Sequence, residues 1–181
     1  MLRIKQAIIV EGRYDKIRLS NITDAVVICT NGFSIYKDRE KQELIKSLAA
    51  KTGIIILTDS DSAGFQIRSF IRSIVKQGEV LNAVTPDILG KERRKAQPSK
   101  QGKIGVEGIP DELIEQALIN AGAVPEESPA DRGEPVTRAD QRLQRYLGLP
   151  ELLSAKLLLE VVNKMYTRSG FLEAVRKLDS E

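Results

Sequence analysis

Four short runs of the chain are almost wholly apolar, and between them apolar and polar positions recur at helical spacing. "QAIIVEG" (Gln6 to Gly12) leads into "RYDKIRLS", a helix of about two turns with Ile17 and Leu19 as its inward candidates. "DAVVICT" (Asp24 to Thr30) ends on the turn residues Asn31 and Gly32. From about Tyr36 to Ala50 the pattern is helical again, with Leu44, Ile45, Leu48 and Ala49 on one face. "GIIIL" follows, then two aspartates, then a helix of about 14 residues marked by Ile67, Phe70, Ile71, Ile74 and Val75. "EVLNAV" (Glu79 to Val84) reads as a fourth strand. Strands without polar alternation are covered on both faces. Alternating with amphipathic helices, they predict an α/β fold, a parallel sheet of about four strands with helices on both sides.

The pattern changes after Asp87. "KERRKAQPSKQGK" (Lys91 to Lys103) carries six basic residues and one acidic, a local net of +5 in a chain whose total is +3. Positive charge concentrated in a loop that also holds Pro98 and Gly102 predicts a contact with phosphates through Lys91, Arg93, Arg94, Lys95, Lys100 and Lys103. The alternative is a solvated linker that touches nothing. Beyond it, "IPDELIEQALINAG" opens with Pro110 and closes at Gly122, with Leu113, Ile114, Ala117 and Leu118 on one face. "AVPEESPADRGEP" lacks periodicity and predicts a flexible loop over about 123–136. Three short helices follow in "TRADQRLQRYLG", "PELLSAKLLLEVVNKMY" and "TRSGFLEAVRKL", the first opened by Thr137 with Asp140 three places on. Their apolar residues suffice for a small bundle, and the leucine-rich face reads as core. The expected organisation is therefore an α/β domain over 1–88, a basic linker over 89–104 and an all-helical C-terminal domain over 105–181.

Composition narrows the chemistry. The chain has 181 residues, 41% of them apolar, and no apolar run nears the roughly 18 residues of a membrane span. Its N-terminus enters strand-like sequence at once, without a signal peptide's apolar core, which predicts a soluble, cytoplasmic protein with no membrane partner. The single cysteine, Cys29, lies in "AVVIC" and reads as a buried, inert thiol. There is no histidine, which excludes Ser-His-Asp and Cys-His catalysis and any His-ligated zinc within this chain. One cysteine cannot build a zinc ribbon, and no Gly-x-x-x-x-Gly-Lys-Ser/Thr loop occurs. Carboxylates, lysines, arginines and hard metal ions remain.

The carboxylates are placed to matter. Open parallel sheets bind ligands beyond the carboxyl ends of their strands. Glu11 follows the first strand, and Asp59 and Asp61 follow the third, 48 residues later. Two ionised carboxylates one residue apart repel unless a cation or hydrogen bonds compensate, and Mg²⁺ takes oxygen ligands of this kind. An EF-hand reading fails, because Ala63 and Phe70 stand where that loop needs oxygen donors. A helix cap by Asp61 or Ser62 does not fail. Spacing alone leaves metal site and cap level.

A resemblance shifts that balance. "IIVEGRYDKIRL", followed some 45 residues later by "IIILTDSDSAG", resembles the toprim domain, whose hallmark is a Glu after the first strand and an Asp-x-Asp after the third. The likeness covers about residues 1–88 and implies Mg²⁺-dependent phosphoryl transfer on nucleic acid. Within the toprim proteins, the chain is most similar to the ribonuclease M-five family, endonucleases that mature 5S ribosomal RNA. "VEGR" with Asp15, "TNG" at Thr30 to Gly32, "GIIILTDSD", "GKIGVE" after a basic loop, and the helical tail carry that similarity. Two positions depart from the pattern: Tyr14 stands where a second acid is expected, and Ser60 where proline is usual.

The resemblance implies roles. Asp59 and Asp61 would hold one or two Mg²⁺ ions, with Glu11 as a further ligand or as general acid or base. Gly12 and Gly64 would admit a phosphate close to the backbone, and Asn31 and Gly32 would belong to the same rim. Arg13 would contact phosphate and Asp15 would orient it or a second metal, although a surface ion pair at a helix start accounts for both equally. The implied substrate is precursor 5S ribosomal RNA, cut to leave 5′-phosphomonoesters. The implied partner is a large-subunit ribosomal protein that binds the same RNA. Two other readings stay open: a toprim module that binds nucleic acid without cutting it, and a toprim nuclease acting on DNA.

Overall fold

The computed structural model describes residues 1–86, 105–126, 136, 141–150, 153–178 and 180. Four strands form one parallel sheet: β1 (Ala7–Val10), β2 (Val27–Cys29), β3 (Ile54–Leu57) and β4 (Val80–Ala83). Their order is β2-β1-β3-β4, so the two most apolar strands lie at the centre. The register pairs Val10 with Cys29 on one side and with Leu57 on the other, which aligns the carboxyl ends of three strands.

The helices cover both faces. α1 (Arg13–Ile22) and α4 (Asp111–Asn120) pack on the face formed by Ile8, Val10, Ile55 and Leu57, through Leu19, Ile22, Ile114 and Leu118. α2 (Arg39–Lys51) and α3 (Ser62–Ile74) pack on the face formed by Ala7, Ile9, Ile54 and Ile56, through Leu44, Ile45, Leu48, Ile67 and Ile71. Alternate residues of one strand thus enter different cores, as the pleat requires. The α/β expectation holds, and α5 (Gln141–Tyr146), α6 (Ala155–Met165) and α7 (Arg168–Leu178) supply the helical C-terminal region.

Three details differ from the sequence reading. Ile17 is half exposed, and the buried pair on α1 is Leu19 and Ile22. Two helical residues apart is about 200° of rotation, so Ile17 and Leu19 cannot share a face. The helix expected from Tyr36 begins at Arg39, because Asp38 caps it by accepting from the Lys41 N–H at 3.0 Å; the stretch before it, Gly32–Tyr36, is a 3₁₀ turn. On α4, Leu113 is partly exposed, while Ile114, Ala117 and Leu118 are buried.

The C-terminal helices share a core with the sheet domain. Leu143, Leu158, Val161, Val162 and Phe171 join the cluster that contains Leu44, Leu48 and Ile54. α2 carries polar contacts to them as well: Ser47 Oγ donates to the Gly148 carbonyl at 3.1 Å, and Lys51 lies 4.6 Å from the Tyr166 ring centroid. The expected boundary at residue 105 does not mark a break in packing, since Val106, Ile109 and α4 belong to the core of the sheet. Residues 123–126, expected to open a loop, run beside the start of the chain, with Lys5 N–H donating to Val124 O at 3.0 Å. The basic stretch 91–103 and the Thr137–Asp140 cap lie outside the described residues. Among the described residues no helix is long and apolar enough to cross a membrane.

Candidate metal and phosphate site

Glu11 leaves β1 half-buried, and its backbone is tied to the neighbouring strand end. Its carbonyl accepts from the Gly32 N–H at 3.2 Å, from Thr30 Oγ1 at 3.3 Å and from Cys29 Sγ at 3.3 Å. The chain reverses after β2 through two successive left-handed residues, Asn31 (φ 56°) and Gly32 (φ 60°), a conformation that Asn and Gly tolerate best. A Cβ on Gly32 would lie 4.0 Å from Glu11 Oε1, so this turn forms one wall beside the carboxylate.

The Cys29 thiol, expected to be buried, is half-buried and also donates to Asn31 Oδ1 at 3.0 Å. Burial pushes its pKa up, against a smaller opposing pull from the Asn31 backbone. It therefore stays a neutral thiol near pH 7, as an inert donor should.

Asp59 and Asp61 leave β3 half-buried. Asp61 is the N-cap of α3, its Oδ1 accepting from the Gly64 N–H at 2.8 Å. The capping role weighed from spacing is thus real. It satisfies one donor of the helix start and places a negative charge at the positive end of the helix dipole. Asp59 Oδ1 accepts instead from the Val106 N–H at 2.9 Å, across 47 positions of chain. Each aspartate is thus oriented by its own backbone donor.

The glycines and the first helix have internal roles. A Cβ on Gly64 would stand 2.1 Å from the Asp59 carbonyl oxygen, so the close approach observed there is of α3 to the Asp59 backbone. Gly12 caps α1, and its N–H donates to Asp15 Oδ2 at 2.8 Å. Asp15 is thereby engaged at the helix start beside Glu11, and Arg13 is exposed on the same first turn.

Three residues that the sequence reading passed over organise this rim. Arg68 Nη1 donates to Thr58 Oγ1 at 2.7 Å and to the carbonyls of Thr58 and Asp59 at 3.3 Å each. Thr58 itself is buried, and Val106 supplies the bond to Asp59. A signal for Arg68 existed: it follows Asp61 by seven residues, about two turns, which returns a helical side chain to the same face. Nothing in the sequence marks Val106, because its contact is a backbone N–H brought in by the fold.

The donor set suits a hard divalent cation, since Glu11, Asp59 and Asp61 offer only carboxylate oxygens. Among the described residues, no three acidic or cysteine side chains already converge at ligating distance. The phosphate-contact candidates Lys91, Arg93, Arg94, Lys95, Lys100 and Lys103 lie outside the described residues.

Comparison with known proteins bears on this rim. Residues 5–85 match the family described as Toprim domain. Over 123 residues the chain is 39% identical to ribonuclease M5 of Mycoplasma capricolum subsp. capricolum, covering 66% of this chain and 62% of that protein. It is 36% identical to ribonuclease M5 of Clostridium acetobutylicum, covering 65% of this chain and 57% of that one. With ribonuclease M5 of Staphylococcus aureus the identity is 34%, covering 67% and 62%. The chain therefore spans less than two thirds of the length of these curated relatives. A solved small TOPRIM domain protein from Bacillus stearothermophilus aligns over 70% of this chain and 96% of its own, with 26% identity and a TM-score of 0.45.

Proposed function

With residues 5–85 matching the Toprim domain family, we propose that this chain is a Mg²⁺-dependent endoribonuclease of the ribonuclease M5 kind, cutting precursor 5S ribosomal RNA in the cytoplasm. The observation that supports this most is the pairing of Val10 with Leu57, which sets Glu11 and the two aspartates at the ends of adjacent strands. A shared rim of carboxylates at strand ends is where a phosphodiester and a hard cation would meet.

In this reading Asp59 and Asp61 would hold Mg²⁺, with Glu11 as a further ligand or as the proton carrier. When bound, the ion supplies a Lewis acid that neutralises charge on the phosphate oxygens and makes water a better nucleophile. Glu11 as general base takes the proton of the attacking water and returns it to the leaving 3′ oxygen, so the product carries a 5′-phosphomonoester. The Val106 N–H and the Gly64 N–H orient the two aspartates. Arg68, through Thr58 and the Asp59 carbonyl, keeps their loop in place. The basic stretch at 91–103 grips the RNA backbone, and a large-subunit ribosomal protein bound to the same RNA presents it.

The second reading is a toprim module that binds nucleic acid without cutting it. The two part in one experiment. Precursor 5S RNA is incubated with the protein, with and without 5S-binding ribosomal proteins, in Mg²⁺ or chelator, with duplex DNA alongside. Cleavage of the RNA in Mg²⁺ that Glu11→Gln abolishes is the expected result. Binding without any product, or a Glu11→Gln variant as active as the parent, would sink the nuclease assignment.

A further inference from the structure

α2 carries two basic side chains on one face. Arg39 and Lys46 stand seven residues apart, about two helical turns, which returns them to the same side, roughly 10 Å apart along the axis at about 1.5 Å per residue. Together with Lys37, which directly precedes the helix cap, they line a cavity of about 630 Å³ between α2 and α3. Tyr36 and Phe70 close one wall of it, their centroids 4.4 Å apart and their planes tilted by 56°. Phe70 is seated against the core, so these rings pack on each other, and what the cleft offers a ligand is charge.

That charge is positive and largely unspent. Three cations face a single carboxylate, Glu43, which gives the cleft a net of +2. Glu43 pairs with Lys46 at 2.8 Å, but its side chain is 61% exposed, so water competes for the bond and the pair is weak. Among the described residues Lys37 and Arg39 form no ion pair, whereas Lys41, on the same helix, is engaged by Asp38 at 2.9 Å. The backbone that carries Lys37 is fixed. Gln42 Nε2 donates to the Ile35 carbonyl at 2.8 Å and to the Tyr36 carbonyl at 3.2 Å, and Ile35 is completely buried.

The cleft also lies between two parts of the fold that matter. At one end, Lys37 follows the 3₁₀ turn that begins at Gly32, whose N–H bonds the Glu11 carbonyl at 3.2 Å. At the other, Lys46 directly precedes Ser47, whose Oγ donates to the Gly148 carbonyl of the C-terminal region at 3.1 Å. The line of cations therefore leads from the carboxylate rim toward the C-terminal helices. The Arg39–Lys46 span corresponds to about three nucleotides of one strand at about 3.4 Å each.

We propose that the cleft between α2 and α3 is a phosphate-binding site for the RNA backbone, in which Arg39 and Lys46 neutralise phosphates of one strand and Lys37 adds a third contact. This rests on the nucleic-acid reading of the rim and adds to it a second grip, far in sequence from the basic stretch at 91–103. Glu43 sets its strength, because an incoming phosphate must take Lys46 from it. Contacts of this kind fix the position of the RNA and carry no sequence preference.

The test is a binding measurement in chelator, where no cutting occurs. A short blunt-ended RNA duplex of mixed sequence, which offers backbone and no unpaired base, is titrated with the protein by fluorescence anisotropy over a range of salt. Arg39→Gln and Lys46→Gln are each expected to lower the slope of log affinity against log salt by about one and to weaken binding severalfold. Glu43→Gln is expected to strengthen it by about two- to tenfold. Lys5→Gln is the charge-matched control, an exposed residue before β1 at the end of the sheet away from the carboxylates, and is expected to leave the slope unchanged. Arg39 and Glu43 are exposed, so their variants should keep the parent's circular dichroism spectrum. Parental slopes in both basic variants, an equal fall in Lys5→Gln, or weaker binding in Glu43→Gln overturns the site. So does displacement of the duplex by a nucleoside triphosphate at micromolar concentration, which would make the cleft a small-nucleotide pocket. Cleft-dependent binding without cleavage of precursor RNA in Mg²⁺ would refute the nuclease and leave the site standing. Cleavage with cleft-independent binding would do the reverse.

Discussion

The Asp59 carboxylate accepts a hydrogen bond from the backbone N–H of Val106 at 2.9 Å, so a candidate metal ligand after β3 is oriented by a residue 47 positions further along the chain. Val106 is itself buried in the core under α1 and α4. Asp59 is thus aimed by a group that no side-chain exchange removes. Proline at 106 does remove it. Val106→Pro is expected to cut the rate of precursor RNA cleavage by about tenfold or more, the worth of one bond to a charged acceptor. Val106→Ala keeps the N–H and is expected to stay within about threefold of the parent, although it loses packing. Single-turnover rates of both variants, compared with their denaturant midpoints, check this. Equal rates would show that the bond does not orient Asp59 for function.

Asp61 combines a cap with a proposed ligand, and two substitutions separate these roles. Asparagine caps helices about as well as aspartate, so Asp61→Asn is expected to change stability by only a few tenths of a kcal/mol while abolishing cleavage. Asp61→Ala loses the bond to Gly64 as well and is expected to cost about 1 kcal/mol. Urea denaturation beside the cleavage assay gives both quantities. Full activity in Asp61→Asn would leave the residue a cap and nothing more.

Gly64 is required by the backbone against which α3 closes. A Cβ there meets the Asp59 carbonyl oxygen at 2.1 Å, and a main-chain atom cannot rotate away as a side chain would. Gly64→Ala is expected to destabilise the fold by about 1–3 kcal/mol, the usual cost of overpacking, and to displace Asp59. Thermal unfolding measures the first effect. A variant as stable as the parent would mean that α3 shifts freely.

The start of α2 carries a pH dependence whose direction can be derived. Burial raises the Asp38 pKa, but hydrogen bonds from the Lys41 N–H and ammonium outweigh it, leaving the carboxyl below its ordinary 3.8. A carboxyl whose folded pKa lies below its unfolded one contributes stability above the unfolded value, and loses it as pH falls through the folded one. The contribution is therefore intact at neutral pH and disappears below about pH 4. Because Asp38 is more than a third exposed, it should amount to well under about 1 kcal/mol after screening. Urea midpoints taken between about pH 5 and pH 2 should fall less steeply in Asp38→Asn than in the parent.

Much of the architecture can be read from the order of apolar and polar residues. The four strands are visible because each is apolar on both faces, as a strand between two helical layers must be. α2 and α3 are visible because their buried residues repeat at helical spacing. Glu11, Asp59 and Asp61 stand out as candidates because charge at the end of an apolar run is costly without a partner. Strand order is not visible there. Only the packed sheet puts β1 beside β3, and with it Glu11 beside the aspartate pair, since pairing depends on which long-range contacts bury the most surface. The same holds for Val106, which reaches Asp59 across 47 positions, and for Phe70, which meets Tyr36 only because α3 packs on the 3₁₀ turn. Periodicity reports which face of an element is buried. It carries no record of what lies across the gap, so the third dimension alone decided how Asp59 is aimed, how the C-terminal helices join the core, and which rings meet.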